Sequence, residues 1–145
     1  MSYNIELLVL KKKTFNEEVR LHKQLQMDYS YVDFAESCSY LLENEENDDS
    51  VSKEYGRFII NGNGSGYRIF QGFFKDVKNG TYTVVDKEQY IKLNEWFENK
   101  IKQLSLFDVL DPETAWEYLY SYNQVKYELD NIDFDNEFIV FWHSY

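Results

Sequence analysis

The groups with most capacity for chemistry in this chain are few: two histidines, His22 and His143, and one cysteine, Cys38. A nucleophilic site needs nucleophile, base and orienting acid to converge in space. His143 precedes Ser144, but neighbours on a strand point to opposite faces, so the two are not expected to act together. His22 sits between Arg20 and Lys23 in a charged helical stretch and is expected in solvent. A lone cysteine forms no internal disulfide, and Cys38 reads as a small buried residue in a reducing compartment. Gly62-x-Gly64-x-Gly66 lacks the spacing of a phosphate loop, and the strand-like residues after it offer no helix N-terminus to an anion. Asp130-x-x-Asp133-x-Asp135-x-Glu137 lacks the glycine and distal glutamate of a calcium loop. We therefore expect no catalytic residue, no metal and no cofactor.

A different chemistry is carried by the residues after Asp111-Pro112, where an aspartate cap and a first-turn proline open a helix reaching about residue 129. At 100° per residue, Tyr118, Tyr122, Val125 and Leu129 share one stripe. Trp116, Tyr120 and Tyr127 share the opposite one, and Glu113, Glu117, Gln124 and Glu128 form an edge between them. One stripe must pack. The other, if exposed, is a ring-rich surface with an acidic margin, and such rings dominate protein-binding hot spots. The expected partner-binding set is Trp116, Tyr118, Tyr120, Tyr122 and Tyr127, rimmed by Glu113, Glu117, Glu128, Asp133 and Asp135.

Charge sharpens the partner class. The net charge is −11. Residues 1–42 carry −1, residues 43–49 carry −5, residues 50–107 carry +3 and residues 108–145 carry −8. Phosphate binding needs clustered lysine and arginine, so direct nucleic-acid binding is not expected. An acidic field favours a basic partner and speeds encounter with it. Residues 5–10, broken by Glu6, are too short for a signal core, and no apolar run approaches the ~20 residues of a spanning helix. We expect a cytoplasmic chain, with no membrane partner.

The positioning elements follow from pattern. A chain of 145 residues with 43% apolar residues suits one domain, 1–145, with its own core. Residues 3–10 predict a strand. Thr14-x-x-Glu17 predicts a capping box opening a helix that carries Phe15, Val19, Leu21, Leu25 and Tyr29. A break at 28–31 and a second helix over 32–42 follow, with Ala35, Cys38, Leu41 and Leu42 inward. Residues 43–50 read as a mobile acidic loop. Residues 55–60 and 67–74 predict a hairpin around the glycine cluster, and 81–85 a third strand completing a meander. Asp86-x-x-Gln89 opens a helix over 87–106 with Tyr90, Leu93, Phe97, Ile101 and Leu104 on its buried face. Glu88/Lys92 and Glu98/Lys102 should form stabilising pairs on it. Residues 138–142 predict a last strand, apolar on both faces and central. The order β-α-α-β-β-β-α-α-β describes an α+β fold, an antiparallel or mixed sheet of about five strands with helices mainly on one face.

In size, acidity, aromatic content and lack of catalytic groups, the chain resembles bacterial immunity proteins and phage anti-defence inhibitors. That resemblance implies a stoichiometric inhibitor occluding the basic site of a nuclease-like toxin or other nucleic-acid-acting enzyme, its carboxylates standing in for phosphates. The alternative is a small-molecule or nucleotide-binding domain or enzyme, with Arg57, Tyr67 and Arg68 around the 57–68 hairpin holding an anion.

Overall fold

Ile5, Leu7, Leu8, Val9 and Leu10 are all buried, which is the signature of a strand covered on both faces. This strand, β1 (Asn4–Lys11), belongs to a computed structural model. The model describes residues 3–44, 49–63, 67, 70–106 and 112–145, with backbone alone for 104–106 and 112–118. The elements after β1 are α1 (Lys12–Gln24), α2 (Tyr31–Asn44), α3 (Asp49–Glu54), β2 (Gly56–Asn63), the single turn α4 (Phe70–Phe73), β3 (Thr83–Val84), α5 (Lys87–Leu106), α6 (Pro112–Asp130) and β4 (Glu137–Ser144). They fall into two compact units, Met1–Val85 with Asp133–Tyr145, and Asp86–Ile132. Among the described residues, no helix is long and apolar enough to cross a membrane.

The first unit holds an antiparallel sheet in the order β2-β1-β4-β3. The α+β class expected from the sequence holds, with four strands among the described residues rather than about five. β4 is central, between β1 and β3, as its two-sided apolar pattern requires. On one face, Leu8, Leu10 and Val140 pack with Phe34, Ala35, Cys38 and Leu42 of α2 and Val51 of α3. Phe15 of α1 joins them, its ring 5.3 Å from Phe34 and 5.8 Å from Phe138. The opposite face is also buried: Ile5, Leu7, Val9, Ile139 and Phe141 point there, and Phe74 stacks on Phe141 at 3.8 Å.

Several expectations fail here, the first of them because a distant partner outweighs a local signal. Among the described residues the predicted hairpin and meander are not formed: β2 pairs with β1, with a bulge between Leu7 and Leu8, while residues 70–73 turn helically. Phe70 and Phe74 gain more by entering the core at helical spacing than by extending a strand edge. The third strand shrinks to the two residues of β3. The Thr14 capping box is also absent, because α1 starts three residues earlier, directly from β1. The amide of Lys12 is satisfied by the Asn136 carbonyl at 2.9 Å, and the Thr14 hydroxyl donates to the Glu54 carbonyl. Leu21 and Leu25 on α1 are exposed, and Phe15 supplies α1's aromatic contact with the core. Of the acidic stretch 43–50, Glu43 and Asn44 close α2, Asp49 and Ser50 open α3, and 45–48 lie outside the described residues.

The second unit is an antiparallel pair of helices. Asp86 and Gln89 make the expected reciprocal cap: the Gln89 amide donates to Asp86 Oδ1 (2.8 Å) and the Asp86 amide to Gln89 Oε1 (3.0 Å). Leu93 and Phe97 are buried, Tyr90 and Ile101 half-buried, and Leu104 has no described side chain. Glu88–Lys92 (3.1 Å) and Glu98–Lys102 (3.4 Å) pair as expected; being exposed, each contributes only a few tenths of a kcal/mol. Tyr90 donates to the Leu129 carbonyl at 2.6 Å, satisfying one of the free carbonyls of α6's last turn.

Candidate functional site

The packing of α6 on α5 decides which aromatic stripe is outward. Tyr122 lies edge-on to Trp96 (5.7 Å) and to Phe97 (5.8 Å), and Leu129 is fully buried. The stripe of Tyr118, Tyr122, Val125 and Leu129 is therefore the inner one at every position whose side chain is described. Tyr120 and Tyr127, on the opposite stripe, are 55% and 65% exposed. Trp116 shares their helical register, but the side chains of Glu113, Trp116, Glu117 and Tyr118 lie outside the described residues. Tyr122, expected to meet a partner, is instead half-buried against α5.

The expected acidic rim draws on residues of both units. Glu128 is half-buried on α6, whereas Asp133 and Asp135 belong to the first unit, in the turn before β4. There the Asn136 side-chain amide, at 2.7 Å, holds the Asp133 carboxyl below its usual range. Asp130 is held low chiefly by the Lys126 ammonium at 2.6 Å. Glu137 is buried, which opposes its ionisation. The Asp133 amide, Arg57 at 2.9 Å and Lys11 at 3.2 Å outweigh that cost and keep it below the ordinary range. Arg57 is thus committed to a structural ion pair. Tyr67 lies over Gly62, where an added Cβ would come within 2.8 Å of its ring, and Arg68 lies outside the described residues. Among the described residues, the hairpin that was to hold an anion between these groups is not formed.

The histidines are occupied. The Nε2–H of His143 donates to the Val77 carbonyl (2.9 Å), since a carbonyl only accepts, and Nδ1 then accepts from the Tyr3 hydroxyl (2.8 Å). His22 is half-buried rather than free in solvent, stacked on Tyr29 at 4.0 Å with Nδ1 2.7 Å from the Glu18 carbonyl. Cys38 is buried, and burial together with the nearby Glu18 pushes its thiol up to about 12, far from a reactive thiolate. Among the described residues, no three His, Cys, Asp or Glu side chains gather as a metal site.

A second site escaped the sequence reading. Glu6 is 8% exposed, although it lies in a sheet. The register places it between Asn61 of β2 and Trp142 of β4, and one step along, on the same face, Asn4 lies between Asn63 and Ser144. Ser39 of α2 and Tyr82 (3.0 Å) both donate to Glu6 Oε1. Among the described residues Oε2 accepts no hydrogen bond, and Glu6 lines a cleft of about 430 Å³ with Asn4, Glu43, Asn61, Asn63 and Trp142. Burial raises the Glu6 carboxyl above its ordinary value of 4.5; the hydroxyls of Ser39 and Tyr82 offset part of this, and Glu43 adds to it. The signal available in the sequence was a lone carboxylate between Ile5 and Leu7, where alternation alone could not say that its face would be roofed by a helix.

Because the folded carboxyl is raised, protonated Glu6 stabilises the fold below pH 4.5, and this contribution is lost as pH rises through the folded value. Glu6→Gln should therefore be more stable than the wild type at pH 8, by a few degrees in Tm, with the difference shrinking toward pH 4.5. Paired thermal melts from pH 4.5 to 8 check this; a constant or inverted difference contradicts it.

Compared with family models, with curated proteins and with solved structures, the chain matches none.

Proposed function

We propose that this chain is a stoichiometric inhibitor of a basic protein, such as a nuclease-like toxin or another nucleic-acid-acting enzyme, and that the outward face of α6 meets the basic site. The observation that carries this reading is the exposure of Tyr120 and Tyr127, two helical turns apart, on the side of α6 turned away from its packing partner. Exposed rings at that spacing can fill a neighbouring surface at low entropic cost. The register adds Trp116 to the stripe and Glu113, Glu117 and Glu128 to its margin, and the net charge of −11 favours a cationic partner. Asp133 and Asp135, in the first unit, are not needed for this contact.

The test is capture from the native host at low salt, repeated with Tyr120→Ala/Tyr127→Ala and with Glu117→Lys/Glu128→Lys. The expected result is one basic protein held by the wild type. The tyrosine pair should weaken it at least ~30-fold, since hot-spot rings contribute about 2 kcal/mol or more. The charge reversals should slow association more than they speed dissociation. Retention of the same partner by both variants at wild-type affinity would remove the basis for this function.

A further inference from the structure

The cleft beside Glu6 has no role in the contact proposed for α6. Its lining is one-sided in chemistry. Two carboxylates, Glu6 and Glu43, and three side-chain amides, Asn4, Asn61 and Asn63, surround it, with Trp142, Ile5 and Gly62 beside them and no lysine or arginine among its described lining residues. Its volume of about 430 Å³ falls in the range of small-ligand sites, roughly 300–1,000 Å³. The central acceptor is built in. Glu6 is more than nine-tenths buried, two hydroxyls fix its Oε1, and Oε2 is left as an acceptor with no donor among the described residues. Among the described residues no buried side-chain oxygen lacks a partner, so Oε2 opens to the cleft, where a donor from outside the chain can reach it. The Asn61 amide is 3.5 Å from Glu43, a weak contact that an entering donor can replace.

We propose that this cleft binds a guanidinium group. A flat cation with five donors suits several carboxylate and amide acceptors converging beside an indole, since the plane stacks on the ring while its edge donates. An ammonium brings only three donors and no flat face. The group belongs either to a free small molecule or to an arginine side chain of another protein. The site stands independently of the α6 reading, because it lies wholly within the sheet-containing unit.

The test uses the intact chain alone, titrated with Nα-acetyl-arginine amide at pH 7.5 and followed by calorimetry and by NMR of the Trp142 indole and the Asn4, Asn61 and Asn63 amides. Binding with a Kd of about 1 mM or tighter is expected. The uncharged analogue Nα-acetyl-citrulline amide should bind at least 10-fold more weakly. Glu6→Gln should weaken the arginine probe at least 10-fold and the exposed-site variant Glu43→Gln several-fold; the latter folds irrespective of the buried residue. Affinity should rise with pH as Glu6 ionises. The groups facing Glu6 are Ser39 and Glu43 from α2, Asn61 from β2, Trp142 from β4 and Tyr82 before β3. Of these only Glu43 and Tyr82 titrate, and burial pushes Tyr82 far above the range scanned.

A short peptide with one arginine flanked by glycine and serine separates the sources. Binding at least 10-fold tighter than the amide assigns the site to a protein side chain; equal or weaker binding assigns it to a free molecule. Equal affinity for the citrulline analogue, wild-type affinity in both glutamate variants, or a response of these amides to calcium but not to the arginine probe would each overturn the proposal. Tyr120→Ala/Tyr127→Ala should bind the probe as the wild type does, so failure of the inhibitor reading and failure of this one are read separately.

Discussion

Gly56→Ala is expected to leave the chain largely unfolded. Gly56 opens β2 opposite Leu10 with φ at +140°, where a side chain is strained whatever the space available. A Cβ there would also lie 2.0 Å from the Val9 carbonyl oxygen and 3.0 Å from Leu10 Cα, which are backbone atoms of the central strand and cannot swing away. Relief requires β2 to leave β1, and the loss should exceed about 4 kcal/mol out of a total of roughly 5–15. Two other glycines calibrate the effect. Gly80 also has positive φ, +76°, but nothing within 4 Å of an added Cβ, so Gly80→Ala should cost about 1–2 kcal/mol. Gly72 meets nothing and has an ordinary φ, so Gly72→Ala should be near neutral. Urea titrations of the three variants followed by circular dichroism test the series; Gly56→Ala with a midpoint near that of Gly72→Ala would refute the account.

Phe141→Ala should be the most damaging truncation in β4, costing about 3–5 kcal/mol and lowering Tm by at least ~10 °C. Phe141 is 1% exposed, pairs across to Leu7 and Thr83, and carries Phe74 stacked on it at 3.8 Å with 13° between the rings. Its removal leaves a cavity in the face opposite α2 and also frees the ring that anchors the segment after α4. The stack makes a second statement. Phe74→Ala and Phe141→Ala should be less than additive, because each removes the same contact. Strict additivity in a double-mutant cycle would mean that the two rings contribute only their separate burial.

Helix α5 was legible down to its ends, since its cap, its 3.6-residue apolar spacing and its ion pairs are all local. Strand β4 was legible as central because Phe138–Trp142 is apolar at every position. The stretch around Phe70–Phe74 was misread, because aromatic and β-branched residues fit a strand edge and a core-facing turn equally well. Thr14 was misread because the strand continues to Lys11 and α1 begins at Lys12, which places Thr14 inside the helix rather than at its cap. On α6 the two stripes were legible, but their assignment was not. Periodicity defines faces, and only the positions of Trp96 and Phe97 decide which face packs.

Composition, charge and short-range spacing by themselves determined an acidic α+β chain, its central last strand, the α5 helix with its cap, and the ring-bearing α6. Tertiary structure alone decided that β2 pairs with β1, that Tyr120 and Tyr127 face outward, and that Glu6 sits beneath Ser39 with one oxygen open to a cleft. The division has a physical cause. Caps and helical faces are set by residues within four positions of each other, whereas strand pairing, burial of a lone carboxylate and the choice between two aromatic faces depend on groups 25 to 140 positions away, which no local pattern encodes.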